Sequence, residues 1–463
     1  MPELPEVETF KIILEPKVTG LKITNVTLIY ENLVKSNKEE FLKNLPGATI
    51  LNLDRVGKHL IFNLDNNYSL VVHFRMEGKF FNLDTLEGNI LPSTSLYFDL
   101  SNGTYLLFND TRKFGVMYLV KTNELMTSKP LNDVGKEPWD IDEARYLYDR
   151  YTKSNKYIKE LLLDQTIMCG LGNIYADEVL FKSGISPFKR GKELTYEECE
   201  RILKYSEETL KEAIEQGGST IKSYHPSKGV NGNFQHSLLV YGRENKTCYN
   251  CKSKIFKRYV GGRGTHFCPK CQHVASTIGI VGKIASGKSA VLQILKNEGI
   301  LTISSDEIVR ELYSNVTFLK DTEKKFKELF INGEVDKRLI TEKLIEDKKF
   351  KRSYETHVFK YVRQRVNDFL VEHADEIVAV EVPLLFEAHM EHMFTYLVGV
   401  ESSREDEFLR SREGKNYEIK KSLNASSKYE FNKDKLDEII ENDGSLAELE
   451  IKVKKLIDKV KSL

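Results

Sequence analysis

Four cysteines near the middle of the chain have the spacing of a metal site. Two C-x2-C pairs are separated by sixteen residues, and their members are Cys248, Cys251, Cys268 and Cys271. Two such turns let four thiolates converge on one ion, which suits tetrahedral zinc. The first eight residues hold two prolines and three acids, so they do not form a secretion signal, and a disulfide framework is not expected. The spacing predicts one structural zinc ion per chain, because four thiolates leave no open position for a catalytic water.

A second pattern, G-x4-G-K-S, has the spacing of a phosphate-binding loop. It lies between the strand-like segment TIGIVG and the helix-like segment SAVLQILKNEG, which is the context that a Walker A loop requires. In such loops backbone amides cradle the phosphates, the lysine reaches the β and γ oxygens, and the serine ligates Mg²⁺. The pattern predicts binding of ATP and Mg²⁺ by Gly282, Ala285, Ser286, Gly287, Lys288 and Ser289.

Charge is unevenly distributed along a chain whose formal net charge is zero. Residues 217–273 hold ten basic residues and one acidic residue, an excess that indicates a polyanionic partner. Apolar residues make up 40% of the chain and charged residues 30%, as in ordinary soluble proteins. No apolar run approaches the roughly 18 residues of a membrane span. We expect a cytoplasmic protein without a membrane partner.

The elements that must position these motifs follow from the hydrophobic pattern. At 463 residues the chain is expected to form about three domains. Residues 5–18 show helical spacing, and short β-like segments follow from about Lys22 to Val120, as expected of a two-layer β-sandwich. Helical patterns then run from Trp139 to Gln216, before a Gly-Ser-rich loop and the cysteine hairpin. The character changes again at Thr277, where we place a domain boundary.

Together these features resemble a formamidopyrimidine-DNA glycosylase, the bacterial enzyme that removes oxidised purines from DNA. The resemblance covers nearly all of residues 2–272 through many separated motifs. They are PELPEVE, RVGKHL, HFRMEGKF, DTRKFG, LLDQ, GLGNIYADE, SGISP, GGSTIKSY, VYGR, GGRGT and FCPKCQ.

The resemblance implies chemistry at the second residue. Once Met1 is removed, Pro2 carries a secondary amine, and an α-amino group has an ordinary pKa near 8, so an appreciable fraction is nucleophilic at neutral pH. In the family this nitrogen attacks the sugar C1′ and displaces the base, and the resulting Schiff base permits β- and δ-elimination. Glu3 would be the general acid that opens the sugar ring, and Lys58 would contact the neighbouring phosphates.

The resemblance also implies how damaged duplex DNA is held. The target nucleotide must be flipped out of the duplex, and an inserted wedge offsets the lost stacking; the matching wedge residues are Met76, Arg112 and Phe114. Asn173 is predicted to open a helix after a glycine turn, where its amides suit a phosphate. The other implied DNA contacts are Lys159, Lys222 and, in the cysteine hairpin, Arg263.

The loop GGSTIKSY would cover the flipped base. Its implied lesion readers are Lys222 and the backbone amides from Thr220 to Tyr224, together with Glu6. The rival family, typified by endonuclease VIII, prefers oxidised pyrimidines, usually starts PEGPE and lacks this loop. The sequences PELPE, RKF and GGSTIKSY favour purine lesions such as 8-oxoguanine and formamidopyrimidines in double-stranded DNA.

Residues 277–463 resemble dephospho-CoA kinase, which uses ATP to phosphorylate the ribose 3′-hydroxyl of dephospho-CoA. The motifs are GIVGKIASGKS, SDEIVRELY, NGEVDKRLI, VPLLFE and IIENDGS. Asp306 matches the acid that accepts the hydroxyl proton. Arg412 lies where the family's lid presents a cation to the phosphates, and Arg410 is nearby.

This second half departs from its family at several positions, which are Lys283, Ser304, Val358, Glu381, Phe408, Ser426 and Asn432. None of the changes removes the phosphate loop or Asp306. Two interpretations of the second half therefore stay open: a dephospho-CoA kinase, or a domain that binds nucleotide but has weak or no activity. A further alternative for the whole chain is a non-catalytic zinc DNA-binding protein with a regulatory P-loop.

The sequence thus predicts a multidomain α+β and α/β protein, expected to be a monomer. The predicted parts are a β-sandwich with a helix at 1–130, a helix-two-turn-helix domain at 131–225, a zinc-ribbon hairpin at 236–272 and a P-loop kinase fold with a parallel sheet at 277–463. The predicted function is a bifunctional DNA glycosylase and AP lyase fused to an ATP-dependent dephospho-CoA kinase of coenzyme A biosynthesis.

Overall fold

The structure, a computed structural model, describes residues 2–219, 233–331, 333–413, 417, 421, 424 and 427–462. It forms two compact units, Met1–Gly242 and Arg243–Leu463. This division groups the cysteine segment with the P-loop segment, whereas the finer domain bounds given above stay a prediction. Within the described ranges, every helix is too short or too polar to cross a membrane.

Helix α1 (Leu4–Val18) opens the first unit, as its apolar spacing predicts. Pro5 lies in its first turn, where the missing amide proton costs nothing. The Glu3 amide donates to Glu6 Oε2 at 2.9 Å, so a side chain in the first turn of the helix caps its amino terminus. Val7 and Leu14 on one face are buried in the core of the β-sandwich. The helix therefore holds the chain start against that core.

Two antiparallel four-stranded sheets form the β-sandwich of the first unit. One sheet has the order β1-β6-β7-β5 and the other β2-β3-β4-β8. Phe62 of one sheet meets Phe80 of the other with ring centroids 5.5 Å apart, so the predicted two-layer packing is confirmed. The elements are β1 (Ile23–Leu28), α2 (Lys38–Asn44), β2 (Ile50–Val56), β3 (His59–Leu64), β4 (Tyr68–His73), β5 (Lys79–Leu83), β6 (Thr94–Leu100), β7 (Tyr105–Asn109) and β8 (Val116–Lys121).

Among the described residues of the first unit, four further α-helices share one apolar core. Helix α5 begins directly after Gly172, as predicted from the glycine turn. Thr195 caps α6 by accepting the Glu198 amide at 3.2 Å, which satisfies an amide that the helix itself leaves unpaired. The four helices are α3 (Arg145–Tyr151), α4 (Ile158–Leu163), α5 (Asn173–Ser183) and α6 (Tyr196–Glu215).

The second unit begins with a two-stranded hairpin that carries the cysteines at its base. Strands β9 (Phe256–Val260) and β10 (Arg263–Phe267) pair antiparallel, with Val260 opposite Arg263. Gly261 and Gly262 form the tip with φ angles of +53° and +73°, which glycine adopts without steric cost. We call residues 243–272 the cysteine hairpin.

A five-stranded parallel sheet is the centre of the P-loop part of the second unit, with the order β12-β15-β11-β16-β17. The parallel sheet and the multidomain α+β and α/β class are as predicted. Its strands are β11 (Thr277–Val281), β12 (Leu301–Ser304), β15 (Val378–Glu381), β16 (Tyr396–Glu401) and β17 (Glu438–Glu441). The remaining elements are α7 (Lys288–Asn297), α8 (Ser305–Leu312), α9 (Val316–Lys325), β13 (Phe330–Ile331), β14 (Glu334–Val335), α10 (Lys337–Glu346), α11 (Lys348–Glu372), α12 (Glu405–Glu413) and α13 (Leu446–Lys461).

Candidate functional site

The Glu3 carboxylate lies at the amino terminus of α5 in the first unit. Its oxygens accept hydrogen bonds from the amides of Gly172 at 2.6 Å and Ile174 at 3.0 Å. A Cβ atom at position 172 would lie 2.3 Å from the Glu3 carboxyl carbon, so only glycine allows this approach. The amide donors and the positive end of the α5 dipole hold the side chain in place.

Burial controls the protonation of Glu3. Removal from water raises the pKa of the Glu3 carboxyl, the Lys58 charge opposes that rise, and the Glu6 charge adds to it. The net direction is upward, so the acid form persists to higher pH than in an exposed glutamate. A carboxyl group with a raised pKa keeps a proton that it can donate at higher pH than an exposed glutamate can.

Lys58 reaches the same turn from the sandwich. Its Nζ donates to the carbonyl of Leu171 at 2.6 Å, the residue before Gly172. The preceding Gly57 has a φ of +55° and its amide donates to Glu137 Oε1 at 2.7 Å. Arg55 in turn forms an ion pair with Glu137. Glu137 therefore holds the β2–β3 turn in place through Arg55 and Gly57, and the turn directs Lys58 toward Glu3.

Glu6 joins the chain start to Ser219, the third residue of the predicted lesion loop GGSTIKSY. Its Oε1 accepts hydrogen bonds from the Tyr175 hydroxyl at 2.6 Å and from the Ser219 amide at 2.8 Å. Its Oε2 accepts the Glu3 amide. Both oxygens are thus bonded inside the protein, and the structure shows a bracing role. Contact of Glu6 with a base stays a prediction.

The three predicted wedge residues lie on two loops of the sandwich. Met76 is partly buried between β4 and β5, whereas Arg112 and Phe114 are exposed between β7 and β8. The Arg112 guanidinium lies 4.8 Å from the Phe114 ring centroid, and 51% of Phe114 is exposed. An exposed aromatic of this size has the form needed to enter a base stack.

Asp110 shapes the second of these loops. Its buried carboxylate accepts the Arg112 amide at 3.0 Å and the Gly115 amide at 2.6 Å. The Thr111 hydroxyl bonds to the Glu77 carboxylate, which ties the loop to the one that carries Met76. Sequence reasoning missed Asp110, although Asp at a turn before a glycine is a usual signal of such bonding.

Lys159 does not lie where the predicted DNA contact requires. Its side chain is fully buried, with Nζ 2.6 Å from Asp177 Oδ1 and 2.9 Å from the Asn173 carbonyl. A buried ion pair cannot exchange its partner for a phosphate without leaving an unpaired charge. The structure therefore corrects this assignment: Lys159 joins α4 to α5. Asn173 itself is the first residue of α5, as predicted.

Four other predicted contacts are not tested by the geometry of the first unit. Thr220, Lys222 and Tyr224 lie outside the described residues. Arg263 belongs to the second unit, where it is exposed at the start of β10. These assignments remain predictions.

The four hairpin cysteines meet at one point. Their sulfur atoms all lie within 4.8 Å of one another, with 3.3 Å between Cys251 and Cys268 and 3.9 Å between Cys248 and Cys271. Burial opposes ionisation of Cys251, but hydrogen bonds from Ser253 and the neighbouring thiols lower its pKa to about 6. Four soft donors at these separations fit a tetrahedral zinc ion.

The P-loop in the second unit has its lysine folded inward. Lys288 is buried and its Nζ donates to the Lys283 carbonyl of the same loop at 2.7 Å. Gly287 has a φ of +102°, and a Cβ there would lie 2.0 Å from the Asn442 side-chain nitrogen. Asn442 also donates to the Ser286 carbonyl at 3.1 Å. Ala285 has a φ of +72° and Ser289 is exposed, and both lie in the loop as predicted.

Three acids surround Lys288 at the carboxyl edge of the sheet. Burial lowers the pKa of Lys288, and the charges of Glu381, Asp306 and Glu405 oppose this shift. Burial also raises the pKa of Glu381, which ends β15. Asp306 is exposed in the first turn of α8. Carboxyl ends of parallel strands are where such folds bind ligands, so the predicted residues meet at a suitable edge.

The departures from the kinase pattern acquire local roles. Lys283 forms an ion pair with Glu430, and Ser304 caps α8 by accepting the Glu307 amide at 3.1 Å. Arg412 belongs to helix α12, but its side chain is not among those that the structure describes. Asn442 lies in the quoted motif IIENDGS, but the sequence did not assign it a role, because its contact with the loop joins residues far apart in sequence.

Three segments of the chain match known protein families. Residues 1–117 match the formamidopyrimidine-DNA glycosylase N-terminal domain and residues 134–225 match the H2TH domain of the same enzyme. Residues 276–448 match dephospho-CoA kinase.

Curated relatives match over the first part of the chain. A formamidopyrimidine-DNA glycosylase of Bacillus cereus (strain ZK / E33L) is 46% identical over 275 residues, which are 59% of this chain and 99% of the relative. The Bacillus subtilis (strain 168) enzyme is 44% identical over 276 residues, again 99% of its length. The Oceanobacillus iheyensis enzyme is 42% identical over 275 residues.

Solved structures give the same result. A Lactococcus lactis FPG mutant in complex with Fapy-dG-containing DNA is 37% identical, with a TM-score of 0.56 over 58% of this chain and 99% of that chain. MutM in complex with DNA containing carbocyclic 8-oxo-G is also 37% identical, with a TM-score of 0.55 and the same coverage.

Proposed function

Because the chain belongs to the formamidopyrimidine-DNA glycosylase family and carries a dephospho-CoA kinase domain behind that part, we propose that it is a bifunctional enzyme. Its N-terminal part would excise oxidised purines such as 8-oxoguanine and formamidopyrimidines from double-stranded DNA, and would then cut the strand as an AP lyase. The C-terminal part would phosphorylate dephospho-CoA with ATP.

The observation that carries the glycosylase proposal is the buried Glu3 carboxyl at the start of α5. It is adjacent to Pro2 in the chain, it is fixed by the Gly172 and Ile174 amides, and burial raises its pKa. An acid that is fixed beside a nucleophile and has a raised pKa is the arrangement that general acid catalysis needs.

The proposed reaction begins at Pro2 after loss of Met1. The proline nitrogen bonds to C1′ of the damaged nucleotide, the bond from C1′ to the base breaks, and Glu3 protonates the ring oxygen as the sugar opens. The iminium formed at C1′ acidifies the adjacent C–H, so β-elimination and then δ-elimination release the flanking phosphates. Lys58, held on the Leu171 carbonyl, is assigned to the phosphate beside this sugar.

DNA binding is proposed to use the exposed loops and the α5 turn. Arg112 and Phe114 project from a loop braced by Asp110, which suits insertion into the space of the flipped nucleotide. The similar solved structures are complexes with DNA that contains Fapy-dG or carbocyclic 8-oxo-G. A zinc ion held by the four cysteines would stabilise the hairpin that carries Arg263.

Borohydride trapping tests the glycosylase proposal. Reduction of the iminium should join the full-length protein covalently to a duplex that contains 8-oxoguanine, and the product should be resolved on a denaturing gel. A tag before Pro2 should abolish trapping, whereas the same tag at the carboxyl terminus should leave it unchanged. Pro2→Gly should weaken it. If untagged protein with Pro2 at its amino terminus binds the duplex without trapping, the chain is a non-catalytic DNA-binding protein.

For the second unit, the Lys288–Asp306–Glu381 group supports phosphotransfer to a hydroxyl. Lys288 would move from the Lys283 carbonyl to the β and γ phosphates of ATP, and Asp306 would accept the proton of the ribose 3′-hydroxyl. Ser289 would help to hold Mg²⁺, which would neutralise phosphate charge when bound. Arg412 would face the phosphates from α12.

Formation of CoA by the full chain tests this second activity. Asp306→Asn should remove most of the product, and Asp458→Asn, an exposed change on α13, should leave the rate unchanged. Nucleotide binding without any CoA from the unmutated chain would favour the alternative of a domain that binds nucleotide but is weakly active or inactive.

A further inference from the structure

The outer edge of the cysteine hairpin is bonded to a helix of the P-loop fold. Asn367, near the carboxyl end of α11, is 4% exposed. The Tyr259 amide of β9 donates to its Oδ1 at 2.8 Å, and its Nδ2 donates to the Tyr259 carbonyl at 2.9 Å. One side-chain amide thus satisfies both backbone groups of a strand residue, as a neighbouring strand would.

The residue before Tyr259 strengthens this attachment. Arg258 is 1% exposed, with Nη1 3.1 Å from the Leu370 carbonyl of α11 and Nη2 3.4 Å from the Thr277 hydroxyl. Burial lowers the pKa of this guanidinium to about 9. An arginine is rarely buried so completely unless it is bonded, so the contact with Leu370 and Thr277 is an integral part of the packing.

The connection between hairpin and sheet is also fixed. The Gln272 side chain accepts the Cys268 amide at 2.9 Å, and the Ala275 amide donates to the Ala374 carbonyl at 2.8 Å. Thr277 then begins β11, the strand that leads into Gly282 of the P-loop. This segment is short and bonded, so it does not act as a flexible linker.

We propose that the P-loop fold holds the cysteine hairpin in its folded form and thereby takes part in DNA binding, in addition to any phosphotransfer. The DNA part of this inference rests on the proposed function, because it assigns Arg263 of the hairpin to DNA. The attachment through Asn367 and Arg258 does not depend on that function. In this interpretation the covalent fusion serves to stabilise the cysteine hairpin.

Hydrogen exchange in the full-length protein tests the attachment. Asn367→Ala removes both hydrogen bonds to Tyr259 and leaves that residue's amide and carbonyl unpaired, so exchange of the amides in residues 254–267 should accelerate about tenfold or more. The control is Asn297→Ala, an exposed asparagine on α7 of the same unit, which should not change it. Asn367→Asp keeps the acceptor and loses the donor, so its exchange should be intermediate.

Two further measurements separate a local effect from unfolding. Binding of a fluorescent ATP analogue should stay within twofold of wild type in Asn367→Ala, which shows that the P-loop fold is intact. Release of zinc to a chelator should be faster in that variant than in Asn297→Ala. Unchanged exchange of the hairpin amides in Asn367→Ala would overturn the proposed attachment.

DNA affinity tests the second part of the inference. A duplex that contains a tetrahydrofuran abasic analogue should bind Asn367→Ala about tenfold more weakly than wild type, while borohydride trapping on 8-oxoguanine DNA at saturating concentration persists. Equal affinity despite a loosened hairpin would show that the hairpin attachment does not serve DNA binding. If the wild-type chain fails to trap or to bind either duplex, the proposed glycosylase function fails, whereas the exchange result still decides the attachment.

Discussion

The two units each place a buried titratable group at the amino terminus of a helix, but with opposite charge. Glu3 lies at the start of α5 and Lys288 is the first residue of α7. Burial raises the pKa of the glutamate and lowers that of the lysine, so both are driven toward their neutral forms. A helix start stabilises an anion and not a cation.

The first arrangement is therefore complete within the protein, whereas the second gains from an added anion. The Glu3 carboxyl accepts the α5 amides itself, and the proposed function assigns it the transfer of a proton. Lys288 is held on the Lys283 carbonyl, and a phosphate would supply the negative charge that the loop amides and the lysine favour. Similar helix geometry thus suits proton transfer in one unit and phosphate binding in the other.

The largest expected effect is the loss of the acid at position 3. Glu3→Gln cannot donate a proton to the sugar oxygen, so excision of 8-oxoguanine should fall by about 10²–10⁴-fold. Single-turnover assays on a duplex measure this change. Glu39→Gln, an exposed change on α2, should retain the wild-type rate. A Glu3→Gln rate within threefold of wild type would break the assignment.

The raised pKa of Glu3 also sets a pH dependence of stability. A folded-state pKa above the unfolded value means that the folded protein binds the proton more tightly, so this contribution to stability is full below about pH 4.5 and is lost as pH rises through the folded pKa. Urea unfolding should show wild type losing stability relative to Glu3→Gln as the pH rises above about 4.5. The opposite trend would mean that Glu3 is ionised in the folded state.

Lys288→Ala tests the buried lysine of the second unit. Without the ammonium group that reaches the phosphates, CoA formation should fall by about 10²–10³-fold. Lys320→Ala, an exposed lysine on α9, serves as the matched control. DNA trapping should be unaffected by either change, and a parallel loss of trapping in Lys288→Ala would contradict the separate roles of the two sites.

Gly172→Ala should give a smaller effect in the first site. The new methyl group would lie 2.3 Å from the Glu3 carboxyl carbon, so the acid must shift and excision should fall by about tenfold or more. Free energies of unfolding should fall by about 1–3 kcal/mol, since the carboxyl would lose amide donors. Wild-type excision by a folded Gly172→Ala protein would show that the position of Glu3 is not critical.

The smallest expected effect concerns Tyr175. Tyr175→Phe removes the hydroxyl that donates to Glu6 at 2.6 Å, so stability should fall by about 1 kcal/mol and excision should slow severalfold. Tyr97→Phe, at a partly buried tyrosine of β6, provides the comparison. If both variants unfold at the same urea concentration as wild type, the hydrogen bond from Tyr175 to Glu6 does not contribute to stability.

Local spacing was enough to predict several features because their physics is local. The cysteine pairs, the glycine turn before α5 and the P-loop between β11 and α7 each depend on neighbours within a few residues. Lys159 shows the limit. The family resemblance implied a DNA contact for this lysine, but its partner Asp177 lies on another helix, and sequence alone does not show that the two helices bury this pair.

The sequence by itself determined the two family resemblances, because their motifs are quoted residue by residue, and the β-sandwich and the zinc and phosphate-loop patterns, because these follow from hydrophobic period and spacing. Only the tertiary structure decided that Glu6 is used as a brace and that Asn367 and Arg258 bond the cysteine hairpin to α11. Burial and hydrogen bonding between residues more than a hundred positions apart arise when the chain packs, and no local pattern encodes them.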